Sequence, residues 1–298
     1  MTVPEALDSR FREAVTAIDA GDVAALERLL AADPRLARDR LDQPGTWLSD
    51  RVGKALTGFF RRPYLMWFVA EDPVRNGRLP TNIADVTRAI IAAATREAPR
   101  SLQEQLATTL RLVAWSGVAR ECGVQIALID VLVDAGATPR GTAADALVNR
   151  HLAAAARLVE RGDPLTLATA VCLGRTDDIP RIARSATRDD RRNALVLAAL
   201  NGQAEALATL FGLGVSANAR SSEIYSHATA LHHAVCSGSL DAVRVLVEAG
   251  AETDARDSVH DGTPLDWAEH YVGEPGTDVR AEAYAAIAAF LRDKGGRR

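Results

Sequence analysis

Four residues in the C-terminal third of the chain are of types that could transfer protons or bind a polar ligand. They are Tyr225, His227, His260 and Asp261, and they lie in two polar segments, residues 221–228 and 258–262. Phenol, imidazole and carboxylate groups act as general acids and bases, and they also bind polar ligands. Polar loops are equally typical of any solvated surface. The sequence therefore leaves a functional cluster and an ordinary loop surface as alternatives.

A second candidate pair lies near the middle of the chain. Arg111 and Trp115 are four residues apart in an apolar, helical pattern, which places them on one face of a helix. Trp and Arg are common anchors in binding surfaces. The alternative is that Trp115 packs in the core.

Arginines also flank the densest aromatic run of the chain, residues 59–68. Such a run is typical of a local core, yet guanidinium groups around it could bind an anion. This arginine rim would consist of Arg61, Arg62, Arg75 and Arg78.

The polar segments flank the most regular stretch of the chain, residues 229–251, in which apolar residues recur at helical spacing. Gly238 separates two helical patterns and Gly250 follows the second. Gly202 and Gly214 repeat that spacing, so the same helix pair occurs one unit earlier. A glycine after each second helix indicates a left-handed backbone at that position.

This stretch resembles an ankyrin repeat. Residues 229–234 match the T-P-L-H-x-A pattern with Ala230 in place of the proline, and residues 248–251 form the expected Glu-Ala-Gly-Ala ending. The proline returns in Thr263-Pro264-Leu265, one repeat later. The resemblance is closest over residues 190–270 and least regular over 40–105. Eight units are predicted, starting near residues 10, 60, 107, 141, 164, 192, 228 and 262.

The resemblance implies an all-α solenoid of stacked helix-turn-helix units with projecting loops or β-hairpins. One domain is expected over residues 1–298. Its parts would be an N-terminal capping repeat (10–40), irregular aromatic-rich units (41–105), better-formed repeats (107–270) and a C-terminal capping helix (271–298).

The resemblance further implies that loop tips and the concave face bind another protein, without catalysis. The alternative is a small-molecule binder or an atypical enzyme, with a pocket formed by the central aromatic units and the loops that carry Tyr225, His227 and His260. In the ankyrin pattern His232 hydrogen-bonds neighbouring loop groups, and His233 packs between helices. Trp67 and Trp267 align with His233 and are predicted to lie in the core.

Composition excludes several classes of function. The net charge of −4 offers no basic field for nucleic acid, and no apolar run is long enough to cross a membrane. Three widely spaced cysteines favour a reducing, cytoplasmic setting, and the preference for arginine and alanine suggests a GC-rich bacterial genome. Nucleotide-binding, hydrolase and metalloprotease motifs are absent from the sequence, so no cofactor and no metal site are predicted.

Overall fold

Helices provide the regular structure of this chain, as the spacing of its apolar residues predicts. The computed structural model describes residues 3–48, 61–70, 77–97, 100–273 and 278–296. Within these ranges every regular element is a helix, so the projecting segments predicted as loops or β-hairpins are loops. The predictions for Phe59, Phe60 and Arg75 lie outside the described residues.

Contacts within the chain group into two compact units, residues 1–164 and 165–298. The prediction of one domain over residues 1–298 stays a prediction. None of the described helices is long and apolar enough to cross a membrane.

The first unit contains nine α-helices and one 3-10 helix in its described part. They are α1 (Val3–Ala20), α2 (Val23–Ala32), α3 (Arg35–Arg38), the 3-10 helix (Leu65–Val69), α4 (Ile83–Glu97), α5 (Leu102–Trp115), α6 (Gly117–Glu121), α7 (Gln125–Asp134), α8 (Thr142–Val148) and α9 (Leu152–Glu160). Helix α5 packs against α7 and α8, and α9 packs against both of those helices. Phe11, Phe68, Leu110 and Leu132 are buried in this unit.

One irregularity of the first unit lies between α5 and α7. Gly117 begins the short helix α6 there, and Ser116 caps that helix by accepting from the amide of Ala119 at 3.0 Å. Gly238 has a left-handed backbone between the two helices of its pair, whereas the left-handed residue here is Gly123, with φ of 70°. Residues 118–123 therefore form an additional helical turn between α5 and α7.

The second unit consists of regular helix pairs in its described part. Its helices are α10 (Leu167–Cys172), α11 (Ile179–Ser185), α12 (Arg188–Leu200), α13 (Ala204–Gly212), α14 (Ala230–Ser237), α15 (Leu240–Glu248), α16 (Pro264–Gly273) and α17 (Asp278–Asp293). The first helices of successive pairs pack side by side, α10 on α12, α12 on α14 and α14 on α16.

The core of the second unit follows the ankyrin phase. Leu231, Val243 and Leu246 are buried, whereas Val247 is only half-buried. The backbone φ of 85° at Gly250 confirms the predicted left-handed residue after the second helix. These helix pairs place the loops before α14 and α16 next to each other.

A histidine-rich cleft in the second unit

His232 joins two neighbouring repeats of the second unit. Its Nε2 donates to the carbonyl of Gly262 at 3.0 Å, and its Nδ1 lies 2.7 Å from the hydroxyl of Thr229, the residue that caps α14. The ring is fully buried, and this burial lowers the pKa of His232 below its usual value. The neutral ring then donates through one nitrogen and accepts through the other. His232 therefore has the structural role that the resemblance implied.

Asp257 organises the loop before α16. Its buried carboxylate accepts hydrogen bonds from the backbone amides of Val259 (2.9 Å), His260 (2.7 Å) and Gly262 (3.1 Å), and from Nε1 of Trp267 (3.0 Å). Burial alone raises the pKa of Asp257, but these donors outweigh it and hold the pKa well below the usual range. The carboxylate is therefore ionised and fixes both the loop and the indole.

Sequence reasoning missed Asp257. The available signal was an aspartate at the start of a loop that ends in Gly262, because aspartate commonly accepts from backbone amides two or three residues further on.

Trp267 is held at the surface rather than in the core. Besides its bond to Asp257, its ring meets His232 edge-on at 5.0 Å between centroids and stacks on His227 at 6.2 Å with 29° between planes. The side chain is half-buried, so the prediction of a core residue is wrong for Trp267. The polar N–H explains the difference, because its partner carboxylate belongs to a loop. The corresponding prediction for Trp67, which is 4% exposed, is confirmed.

The loop residues surround a cleft of about 530 Å³. The cleft is lined by His227, His260, Asp261, Gly262, Asp266, Trp267, His270 and Tyr271. The two loops are bonded to each other, because the amide of Ser258 donates to the carbonyl of His227 at 2.8 Å. The structure thus brings three of the four candidate loop residues to one cleft.

The fourth candidate, Tyr225, packs beside the cleft. Its ring lies 6.1 Å from that of His227 and 5.5 Å from that of His233 between centroids. Its φ of 47° is left-handed, which is a strained conformation for an aromatic residue. His233 supports this backbone by donating from Nε2 to the carbonyl of Tyr225 at 3.4 Å. Burial lowers the pKa of His233 to about 4, so the supporting ring is neutral near pH 7.

Three lining residues of helix α16, Asp266, His270 and Tyr271, were not predicted from the sequence. His270 and Tyr271 follow Trp267 by three and four residues, so they share its helix face. Tyr271 stacks on Tyr284 at 5.0 Å between centroids and donates to the sulfur of Cys236 at 3.4 Å. The helical spacing of Trp267, His270 and Tyr271 was the signal that could have placed His270 and Tyr271 in the cleft.

The remaining candidates belong to the first unit. Arg111 donates from Nε to Asp145 at 3.0 Å, and Trp115 is 44% exposed, so the core alternative for Trp115 is wrong. Arg61 and Arg78 are exposed. The guanidinium of Arg62 is exposed as well and pairs with Asp42. A role for the arginine rim in binding anions stays a prediction.

The aromatic run of the first unit forms a core around a guanidinium. Arg40 lies over the rings of Tyr64 at 4.3 Å and Trp67 at 5.3 Å, and it pairs with the carboxylate of Glu104. The hydroxyl of Tyr64 donates to the same carboxylate at 3.3 Å. These four residues, Arg40, Tyr64, Trp67 and Glu104, are called the arginine box below.

In the part of the chain that the structure describes, no group of three histidine, cysteine, aspartate or glutamate side chains is placed to hold a metal ion.

Comparisons with known proteins identify the repeats. A family model for ankyrin repeats in three copies matches residues 151–257. Among solved structures, the human ASB11 ankyrin repeat domain is similar, with 16% identity and a TM-score of 0.33, over 74% of this chain and 96% of that one. The search of curated proteins found no match. The regular structure of the described residues is all-α, and residues 151–257 match the ankyrin repeat family.

Proposed function

We propose that this protein binds a segment of another protein in the cleft around Trp267. Ankyrin repeats generally mediate binding to other proteins. The observation that carries the proposal is the composition of the cleft, which combines two inter-repeat loops with the face of α16 that carries Trp267, His270 and Tyr271. Loop tips and the first helices of the repeats are the two surfaces from which an ankyrin protein is expected to bind its partner.

The contacts that hold the aromatic side chains of the cleft support this function. Asp257 fixes the indole of Trp267, and stacking on Tyr284 holds Tyr271. Aromatic side chains that are ordered before binding lose little conformational freedom when a partner docks, so more of the contact energy appears as affinity. Trp and Tyr are also the residue types that most often dominate protein interfaces.

A small polar molecule is the second candidate for this cleft. Its volume of about 530 Å³ lies within the roughly 300–1,000 Å³ of small-ligand sites, and three of its lining residues are histidines. The exposure of His260, Asp261 and His270 favours the protein partner, because small-ligand sites bury most of the ligand surface.

A random dodecapeptide library displayed on phage tests the proposal. We expect the chain to enrich peptides whose affinity falls at least tenfold for Tyr271→Ala and is unchanged for Glu248→Ala. Glu248 is exposed at the end of α15 and does not line the cleft, so it is a matched control. Enrichment that is insensitive to Tyr271→Ala, or no enrichment, would contradict binding in this cleft.

The second candidate is tested by thermal shift against a panel of metabolites. A stabilising metabolite whose shift disappears in Tyr271→Ala would support a small-molecule site. If the panel produces no shift while peptides bind, the protein partner is favoured.

A further inference from the structure

We propose that the cleft receives an arginine side chain of the partner, with the guanidinium against the rings of Trp267 and Tyr271 and close to the carboxylate of Asp261. This inference rests on the proposed function and names the chemistry of the residue that the cleft recognises.

The first argument is the charge of the lining. The cleft is lined by two carboxylates, Asp261 and Asp266, and none of the described lining residues is arginine or lysine. One carboxylate oxygen of Asp266 already accepts two hydrogen bonds. Its Oδ2 accepts from the amide of Thr263 at 2.9 Å and from the hydroxyl of Thr263 at 2.8 Å. The Asp261 side chain is 82% exposed, so it is the carboxylate that a partner reaches.

A rim arginine also approaches Asp261. Nη1 of Arg256 donates to the main-chain carbonyl of Asp261 and lies 3.4 Å from its carboxylate. The Asp261 carboxylate remains mostly exposed despite this contact, and it can accept from a second guanidinium because each carboxylate has about four lone-pair sites.

The second argument is the presence of two aromatic rings in the same lining as these carboxylates. The indole of Trp267 and the phenol of Tyr271 both line the cleft, and each is held by contacts within the second unit. A guanidinium is planar and weakly hydrated, so it stacks on such faces while it donates to a carboxylate at its edge. An ammonium group lacks the planar stacking and the forked donors, which favours arginine over lysine.

The third argument is that this chain already uses the same combination within its first unit. In the arginine box, the guanidinium of Arg40 lies over Tyr64 and Trp67 and pairs with the carboxylate of Glu104. The cleft has a tryptophan, a tyrosine and a carboxylate as well. Arg256 approaches this carboxylate from the rim, but none of the described residues that line the cleft is an arginine. A guanidinium from a partner would complete the set of groups that Arg40 completes in the arginine box.

The experiment uses peptides selected by the full chain from the random dodecapeptide library. We expect the peptides that depend on Tyr271 to share an arginine at one aligned position. A synthetic peptide with citrulline at that position keeps the shape but loses the charge, and its Kd should rise at least tenfold. Asp261→Asn should raise the Kd of the arginine peptide several-fold and leave the citrulline peptide unchanged. Asparagine tolerates the left-handed φ of 54° at this position, so the variant should fold.

The outcomes separate this inference from the function on which it rests. Selected peptides that depend on Tyr271 but carry no shared arginine, or that bind equally well with citrulline, would overturn the arginine site and leave the protein-binding function standing. Peptides that prefer lysine at the shared position would also overturn it. The absence of any peptide that depends on Tyr271 would overturn both. Trp267→Phe offers a second variant, because it retains an aromatic face while removing the bond to Asp257.

Discussion

The two units place similar groups in two different arrangements. In the first unit, Tyr64, Trp67 and Glu104 surround the guanidinium of Arg40, and both aromatic residues are buried. In the second unit, Trp267, Tyr271 and Asp261 line an open cleft. The comparison teaches that aromatic rings and a carboxylate can stabilise the fold when the chain supplies the cation, and can present a binding surface when they stay accessible.

The cleft stays accessible because the residues that hold its two rings, Asp257, Cys236 and Tyr284, do not line it. Asp257 bonds to Trp267 from the loop, and Cys236 and Tyr284 contact Tyr271 from neighbouring helices. In the arginine box the polar partner instead lies on the ring faces. This difference can be tested by removing the groups that position the rings.

The largest effect is expected from Asp257→Ala. Four donors would lose a buried charged acceptor, so the free energy of unfolding should fall by about 4 kcal/mol, and peptide binding in the cleft should be lost. Urea denaturation and peptide titration measure the two effects. Asp254→Ala, in the same segment but exposed, should leave stability within about 0.5 kcal/mol. Wild-type peptide affinity in Asp257→Ala would contradict the view that the cleft is positioned through this carboxylate.

The next effect concerns the pH dependence of stability through His233. The pKa of this buried histidine is about 4, against 6.5 for an ordinary histidine, so the unfolded chain binds the proton first as pH falls. The stability associated with neutral His233 is therefore complete above pH 6.5 and is lost between pH 6.5 and 4, by up to about 3 kcal/mol.

Urea denaturation of the wild type and of His233→Gln at pH 7.5, 6, 5 and 4.5 measures this loss. Glutamine can still donate to the carbonyl of Tyr225 but does not titrate, so the variant should lose less stability than the wild type over this range. Carboxylates contribute equally to both proteins and cancel in the difference. Parallel curves for the two proteins would show that His233 does not carry the effect.

A smaller effect is expected from Arg40→Met in the arginine box. The substitution removes a guanidinium that contacts two aromatic rings and pairs with Glu104, and the free energy of unfolding should fall by about 1–2 kcal/mol. Arg88→Met is the matched control, because Arg88 forms an exposed pair with Asp85 and should contribute less than about 0.5 kcal/mol. Equal effects of the two variants in urea denaturation would refute a stabilising role for the box.

The smallest effect compares two glycines, Gly250 after the second helix of a repeat and Gly117 at the start of α6. Gly250→Ala places a side chain at φ of 85° and should lower stability by about 1 kcal/mol. Gly117 begins α6 and has no close neighbour around an added Cβ, so Gly117→Ala should stabilise by up to about 1 kcal/mol. Thermal melts distinguish the signs, and a stabilised Gly250→Ala would contradict the left-handed backbone at that position.

Local pattern predicted the helices of the regular repeats and the residues that begin and end them. Thr229 caps a helix and Gly250 has a left-handed backbone, as these residue types favour. Both features depend on residues only a few positions apart. The same reasoning does not separate Gly117 from Gly238, although Gly117 begins a short helix and Gly238 ends one. It was wrong at Trp267, whose aligned position suggested the core.

The sequence by itself determined the all-α ankyrin repeats and the phase that brings the loops of Tyr225, His227 and His260 to adjacent repeats, because these follow from a short-range pattern that recurs along the chain. Only the tertiary structure decided which side chains meet. Arg40 and Glu104 are 64 residues apart, and Tyr271 meets Cys236 from 35 residues away. Such pairs depend on how successive helices stack, and no local spacing encodes them. The cleft and the arginine box are both consequences of that stacking.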